Sequence, residues 1–166
     1  MALVAGGLPP SLEVGRLHGA SVFTCAILFG AARPLANTLQ IAATLFAAAC
    51  VYASYRRPMA QHLRAATLAA ATILGAPHVA GYDAMLVAFA AALLFGDGLE
   101  QGFRPSELII SGIAWASPLI NPPMYHPIGR LMPIFIALLV AAIMERGRSA
   151  FVSDRLKPNS VAPLAQ

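Results

Sequence analysis

Five stretches of this chain, residues 34–55, 65–82, 84–96, 108–129 and 131–144, contain no Asp, Glu, Lys or Arg. Their apolar residues run on without the strict alternation of a half-buried strand, so they read as helices. A helix that spans lipid needs about 20 mostly apolar residues, because only a helix satisfies its backbone groups within one segment. The pattern predicts an all-α polytopic bundle of about five spans: 35–55, 60–76, 78–96, 106–120 and 129–145. Residues 20–32 are apolar but too short to cross and suit an interfacial or re-entrant helix. Three regions follow: an external segment 1–34, a bundle 35–145, and a disordered cytoplasmic tail 146–166.

The breaks between spans have their own chemistry. Arg56-Arg57-Pro58 follows Tyr52 and Tyr55, which suit an aromatic belt. Pro77 ends the second span because it cannot donate the next helical hydrogen bond. Gly96-Asp97-Gly98 closes the third, and Pro118 with Asn121-Pro122-Pro123 closes the fourth. Alanines and glycines such as Ala65, Ala66, Ala69, Ala70, Ala71 and Gly75 crowd the second span, which favours close helix packing.

Charge then orients the bundle. With the 56–64 loop in the cytoplasm, that side holds Arg56, Arg57, Arg64, Arg104, Arg146, Arg148, Arg155 and Lys157. The other side holds only Arg16, Arg33 and Arg130, as the positive-inside rule requires. The segments 77–83 and 121–130 are therefore expected outside a plasma (inner) membrane, with the C-terminus in the cytoplasm. Composition agrees: 58% of residues are hydrophobic and 11% charged, against roughly 25% charged in ordinary globular proteins. The net charge of +4 sits at span ends and forms no stripe with interleaved aromatics, so nucleic acid is not an expected partner. Cys25 and Cys50 lie in apolar sequence and read as packed thiols, not as a disulfide. The first 15 residues lack Lys and Arg and hold Pro9-Pro10, so no cleavable signal is expected there.

Two external turns carry candidate chemistry. Ala76-Pro77-His78-Val79-Ala80-Gly81-Tyr82-Asp83 sets an imidazole, a phenol and a carboxylate beside a helix break, with His78 and Tyr82 spaced to share a helix face. An Asp at membrane depth costs ~2.5–3.5 kcal/mol on insertion scales, so it needs a task or a partner. The same residues also fit a plain role, Asp83 at the positive end of a helix and His78 and Tyr82 as interface anchors. The second turn holds Tyr125, His126 and Arg130 among three prolines, donors suited to a lipid phosphate or to an ordinary rigid loop. The acids Asp97, Glu100 and Glu107 lie without metal-ligand spacing and read as a solvated cytoplasmic loop, and Trp115 as a packing residue. No metal site or cofactor motif is expected.

The run Ala-Thr-Ile-Leu-Gly-Ala-Pro77-His78, followed by Tyr82-Asp83 opening an apolar helix, resembles the C-terminal half of the family 87 glycosyltransferases. Ser21-Val22-Phe23, the long first span and Arg56-Arg57-Pro58 also look like that family, so the resemblance covers about residues 15–147. It implies the C-terminal portion of a GT-C membrane fold, a polyprenyl-phosphate sugar donor, and transfer of a hexose, mannose by family, to an acceptor outside. It also implies lipid-phosphate or acceptor contacts at His78, Tyr82, Asp83, Tyr125, His126 and Arg130. Family members are far longer, and their catalytic acid sits in an earlier external loop, so no catalytic residue is assigned and Asp83 is not given that role. A non-catalytic membrane subunit or truncated remnant, packed with a second membrane chain, is the alternative. A small transporter is weaker, because the spans at 35–55, 106–120 and 129–145 offer no charge near mid-bilayer.

Overall fold

A computed structural model describes residues 21–79, 81–116 and 127–156. Among them the chain is all-helical: α1 (Val22–Leu28), α2 (Arg33–Arg56), α3 (Gln61–Gly75), α4 (Ala84–Gln101), α5 (Pro105–Trp115) and α6 (Met132–Leu156). Short 3-10 turns at Gly81–Asp83 and Pro127–Leu131 lead into α4 and α6. Helix starts follow local chemistry. Ser21 Oγ accepts from the Thr24 backbone N–H at 3.2 Å and opens α1. Pro34 and Pro105 occupy first turns, where a missing N–H costs nothing.

The bundle is centred on α3, which packs against α2, α4 and α6, while α5 closes against α4 and α6. Its core is small and aliphatic: Leu63, Ala66, Ala70 and Leu74 of α3 meet Val87, Ala90 and Leu94 of α4 and Ile136, Leu139 and Ile143 of α6. Alanines at the contacts bring backbones close, as in packed membrane helices. Many large apolar side chains point outward instead: Ile41 is 61% exposed, Leu45 66% and Leu99 68%.

Gln40 joins three helices at one end. Its Oε1 accepts from the Phe23 N–H at 3.0 Å, and its Nε2 donates to the Gly75 carbonyl at 3.2 Å. Thr44 Oγ1 donates to the same carbonyl at 2.8 Å. That carbonyl lacks a helical partner because α3 stops before Pro77, so α2 supplies two.

Several expectations change. Among the described residues two helices, α2 (24 residues) and α4 (18 residues), are long and apolar enough to cross a membrane, against the five spans expected. With 15 residues in α3 and 11 in α5, those two rise about 22 and 16 Å, less than a hydrocarbon core of about 30 Å. The fourth expected span extends beyond Trp115 into residues outside the described set. The third starts later and ends later than expected, at Ala84 and Gln101, since Gly96-Asp97-Gly98 is helical and not a turn. The region expected as a tail from 146 is helical to Leu156; residues 157–166, like segment 1–20, lie outside the described residues. Trp115 is 65% exposed and does not pack in the core. Cys25 and Cys50 are free thiols, as expected.

Candidate functional site

The described parts of the two candidate turns, residues 77–79, 81–83 and 127–130, fall at one end of the bundle, with the start of α2, the end of α3 and the starts of α4 and α6. His78 lies in the non-helical stretch after α3 and is exposed. Tyr82, 79% exposed, sits in the 3-10 turn before α4. A shared helix face for His78 and Tyr82 therefore does not form, because Pro77 ends α3 before His78. Asp83 sits at the start of α4, near its positive end, without a side-chain cap hydrogen bond.

Arg130 lies in the 3-10 turn before α6, which packs on α1 and α6. It is partly buried, and its Nε has no hydrogen-bond partner. Its charge is felt at Cys25 in α1, where burial pushes the thiol up to about 12 and the guanidinium opposes that rise. Among the described residues, His78, Tyr82 and Arg130 share an end but make no hydrogen bond with one another. Tyr125 and His126 lie outside the described residues.

The opposite end holds a cluster that the sequence reading missed. Asp97 and Glu107, expected in a solvated loop, are 2% and 3% exposed. Arg146 lies between them: its Nε donates to Asp97 Oδ2 at 2.6 Å and its Nη1 to Glu107 Oε2 at 2.6 Å. Its remaining donors reach the Gly102 carbonyl at 2.9 Å and the Asp97 carbonyl at 3.0 Å. Asp97 Oδ1 pairs with His62 Nε2 at 2.7 Å and accepts from Gln101 Nε2 at 3.1 Å. Arg104 adds an outer layer, donating to Glu145 Oε1 at 3.1 Å and Ser149 Oγ at 2.7 Å.

Local sequence builds this cluster. Gly98 lets the Phe103 ring lie directly on α4, where a Cβ would collide with the ring. Gly102, at φ +87°, turns the chain sharply enough to present its carbonyl to Arg146. Glu107 then stands in the first turn of α5 and accepts from the Arg104 N–H at 3.1 Å. The result ties α3, α4, α5 and α6 together with two carboxylates sharing one guanidinium. The acids and His62 show no group of three or more suited to a metal among the described residues. Chemically the cluster is a clamp: among the buried side-chain atoms of Asp97, Glu107 and Arg146, Glu107 Oε1 is the one without a hydrogen bond.

No family model, curated protein or solved structure matches this chain.

Proposed function

We propose that this chain is the C-terminal membrane part of a glycosyltransferase similar to family 87, which moves a hexose from a polyprenyl-phosphate donor to an acceptor outside the inner membrane. The membrane half of the reading rests on large apolar side chains facing out and alanines facing in. Water would penalise that surface, whereas lipid tails solvate it. In this reading α2, α3, α4, α5 and α6 form a multi-pass bundle of the GT-C type. The turns at 57–60 and 102–104 lie in the cytoplasm and 76–83 lies outside.

The observation that carries the functional half is Arg130. A partly buried guanidinium with an unpaired Nε stands at the same end as Tyr82 and Asp83. During transfer an acceptor hydroxyl attacks the anomeric carbon, the carbon–oxygen bond to the lipid phosphate breaks, and that phosphate gains charge. A fixed cation stabilises the developing charge, and Arg does so through paired N–H donors. His78 and Tyr82 add donors on the same side, while the base that takes the acceptor proton belongs to another part of the enzyme.

The test is binding of a short-chain polyprenyl phosphate to the purified chain in nanodiscs. Arg130→Ala should weaken binding about 10-fold or more, as expected for a lost hydrogen bond to a charged group, with Arg130→Lys intermediate. Equal binding by all three proteins contradicts the assignment. A second reading, a non-catalytic subunit packed with another membrane chain, is favoured by the Arg146 cluster, whose buried charges are engaged with one another.

A further inference from the structure

Between α2 and α6, at the end that carries Arg56, Arg57 and Arg148, the helices meet only sparsely and leave a groove of about 600 Å³. Phe46, Ala49, Ala53 and Ala141 form its apolar walls, and Arg57 and Arg148 stand at its mouth. Neither of these two guanidiniums has a hydrogen-bonded or ion-paired partner among the described residues. Their neighbours are engaged. Glu145, the carboxylate that also lines the groove, is held by Arg104 Nη1 at 3.1 Å. Arg56 donates to Tyr52 Oη at 2.9 Å, and Arg64 Nη2 donates to the Arg57 carbonyl at 3.2 Å.

From Phe46 to Arg57 the helix rises about 16 Å at 1.5 Å per residue, close to half of a hydrocarbon core of about 30 Å. The groove therefore has the depth of one leaflet, apolar along its length and doubly cationic at the water boundary. A free phosphate would use the mouth and leave the walls wet. A partner helix would fill the walls and leave two cations unpaired. One molecule matches both halves, and the lipid of that leaflet is already at hand.

We infer that the α2–α6 groove is a binding site for an anionic phospholipid of the cytoplasmic leaflet, with an acyl chain along Phe46, Ala49 and Ala53 and the phosphate between Arg57 and Arg148. The site lies at the opposite end from Arg130 and is separate from the proposed donor site. It rests on the membrane reading given above and not on the glycosyltransferase reading.

The experiment uses the full chain in nanodiscs of phosphatidylcholine with phosphatidylglycerol, followed by native mass spectrometry of the lipids retained after release. The wild type should keep phosphatidylglycerol in preference to phosphatidylcholine. The double variant Arg57→Gln, Arg148→Gln should lose about 30-fold of that preference, from two interfacial cations. Ala53→Phe fills the groove while keeping both cations, and should lose the retained lipid altogether. Arg56→Gln removes a charge at the same end but outside the groove, and should leave the preference unchanged. An equal loss in Arg56→Gln means diffuse surface attraction and overturns the proposal, as does an unchanged preference in the double variant. Alkaline carbonate extraction separates the two layers of inference. A chain released from membranes overturns the membrane reading and this site with it, whereas a firmly integrated chain with no lipid preference overturns this site alone.

Discussion

Arg146 decides more of this structure than any other single side chain. Two buried carboxylates and two carbonyls converge on it, so removing it takes from Asp97 and Glu107 the buried guanidinium they share. Breaking a buried pair from one side costs about 3–5 kcal/mol. Arg146→Met should lower stability by that amount in denaturant titrations in mixed micelles, and a loss under 1 kcal/mol, as for an exposed pair, would show that the cluster is hydrated. Two glycines give a contrasting pair of substitutions. Gly98→Ala must displace the rigid Phe103 ring and should cost about 1–3 kcal/mol. At Gly147 the obstacle is the flexible end of Met59, so Gly147→Ala should be near neutral, helped by helix propensity. Cys25 gives a pH signature. Burial raises its folded value from 9.0 to about 12, so the fold favours the neutral thiol. That contribution is complete below the unfolded value of 9.0 and is lost as pH rises toward 12, so Cys25→Ala should flatten the alkaline fall in stability. None of the Arg146 chemistry stands out along the chain, because Asp97 and Arg146 are 49 residues apart and each sits beside glycines that mimic a loop. The available signal was an Arg at the end of one apolar run with acids at the ends of two others, which the positive-inside count absorbed as topology.

Among the elements, α2 and α3 were legible because their limits are set locally, by Pro34, Arg56-Arg57-Pro58 and Pro77. The limits of α4 and α6 were not, because packing sets them. Gly96 and Gly98 cost helix propensity of about 1 kcal/mol each, but the Phe103 contact needs Gly98 bare, and Arg146 needs Asp97 on a helix. Likewise α6 passes the end of the charge-free run at Met144 because Arg146 and Ser149 have partners on α4, α5 and the turn between them. Gln40 is the corresponding polar joint at the other end, and hydropathy gave no hint of it. Gln40→Leu strands the Phe23 N–H and removes one of two donors from the Gly75 carbonyl, so it should cost about 1–3 kcal/mol. Hydrogen exchange should localise the effect to α1 and the end of α3; a uniform loss of protection would contradict a local joint.

The molecule as a whole has a polar clamp at one end, a glutamine joint at the other, and a small alanine-rich core between them, with much of its bulky apolar surface facing out. The candidate residues divide along the same axis. His78, Tyr82, Asp83 and Arg130 lie at one end, and Arg56, Arg57, Arg64, Arg104, Arg146 and Arg148 cluster at the other. That division was visible in the charge count, whereas the shortness of α3 and α5 was not, because flanking neutral residues look apolar whether or not they are helical. The central claim, that lipid solvates this bundle with its two ends in different compartments, has a direct measurement. In a chain with Cys25 and Cys50 replaced by Ala, single cysteines at Tyr82 and Glu100 are probed in intact cells with a membrane-impermeant maleimide. Tyr82→Cys should react at once and Glu100→Cys only after lysis; equal labelling of both before lysis, or of neither, would contradict the account.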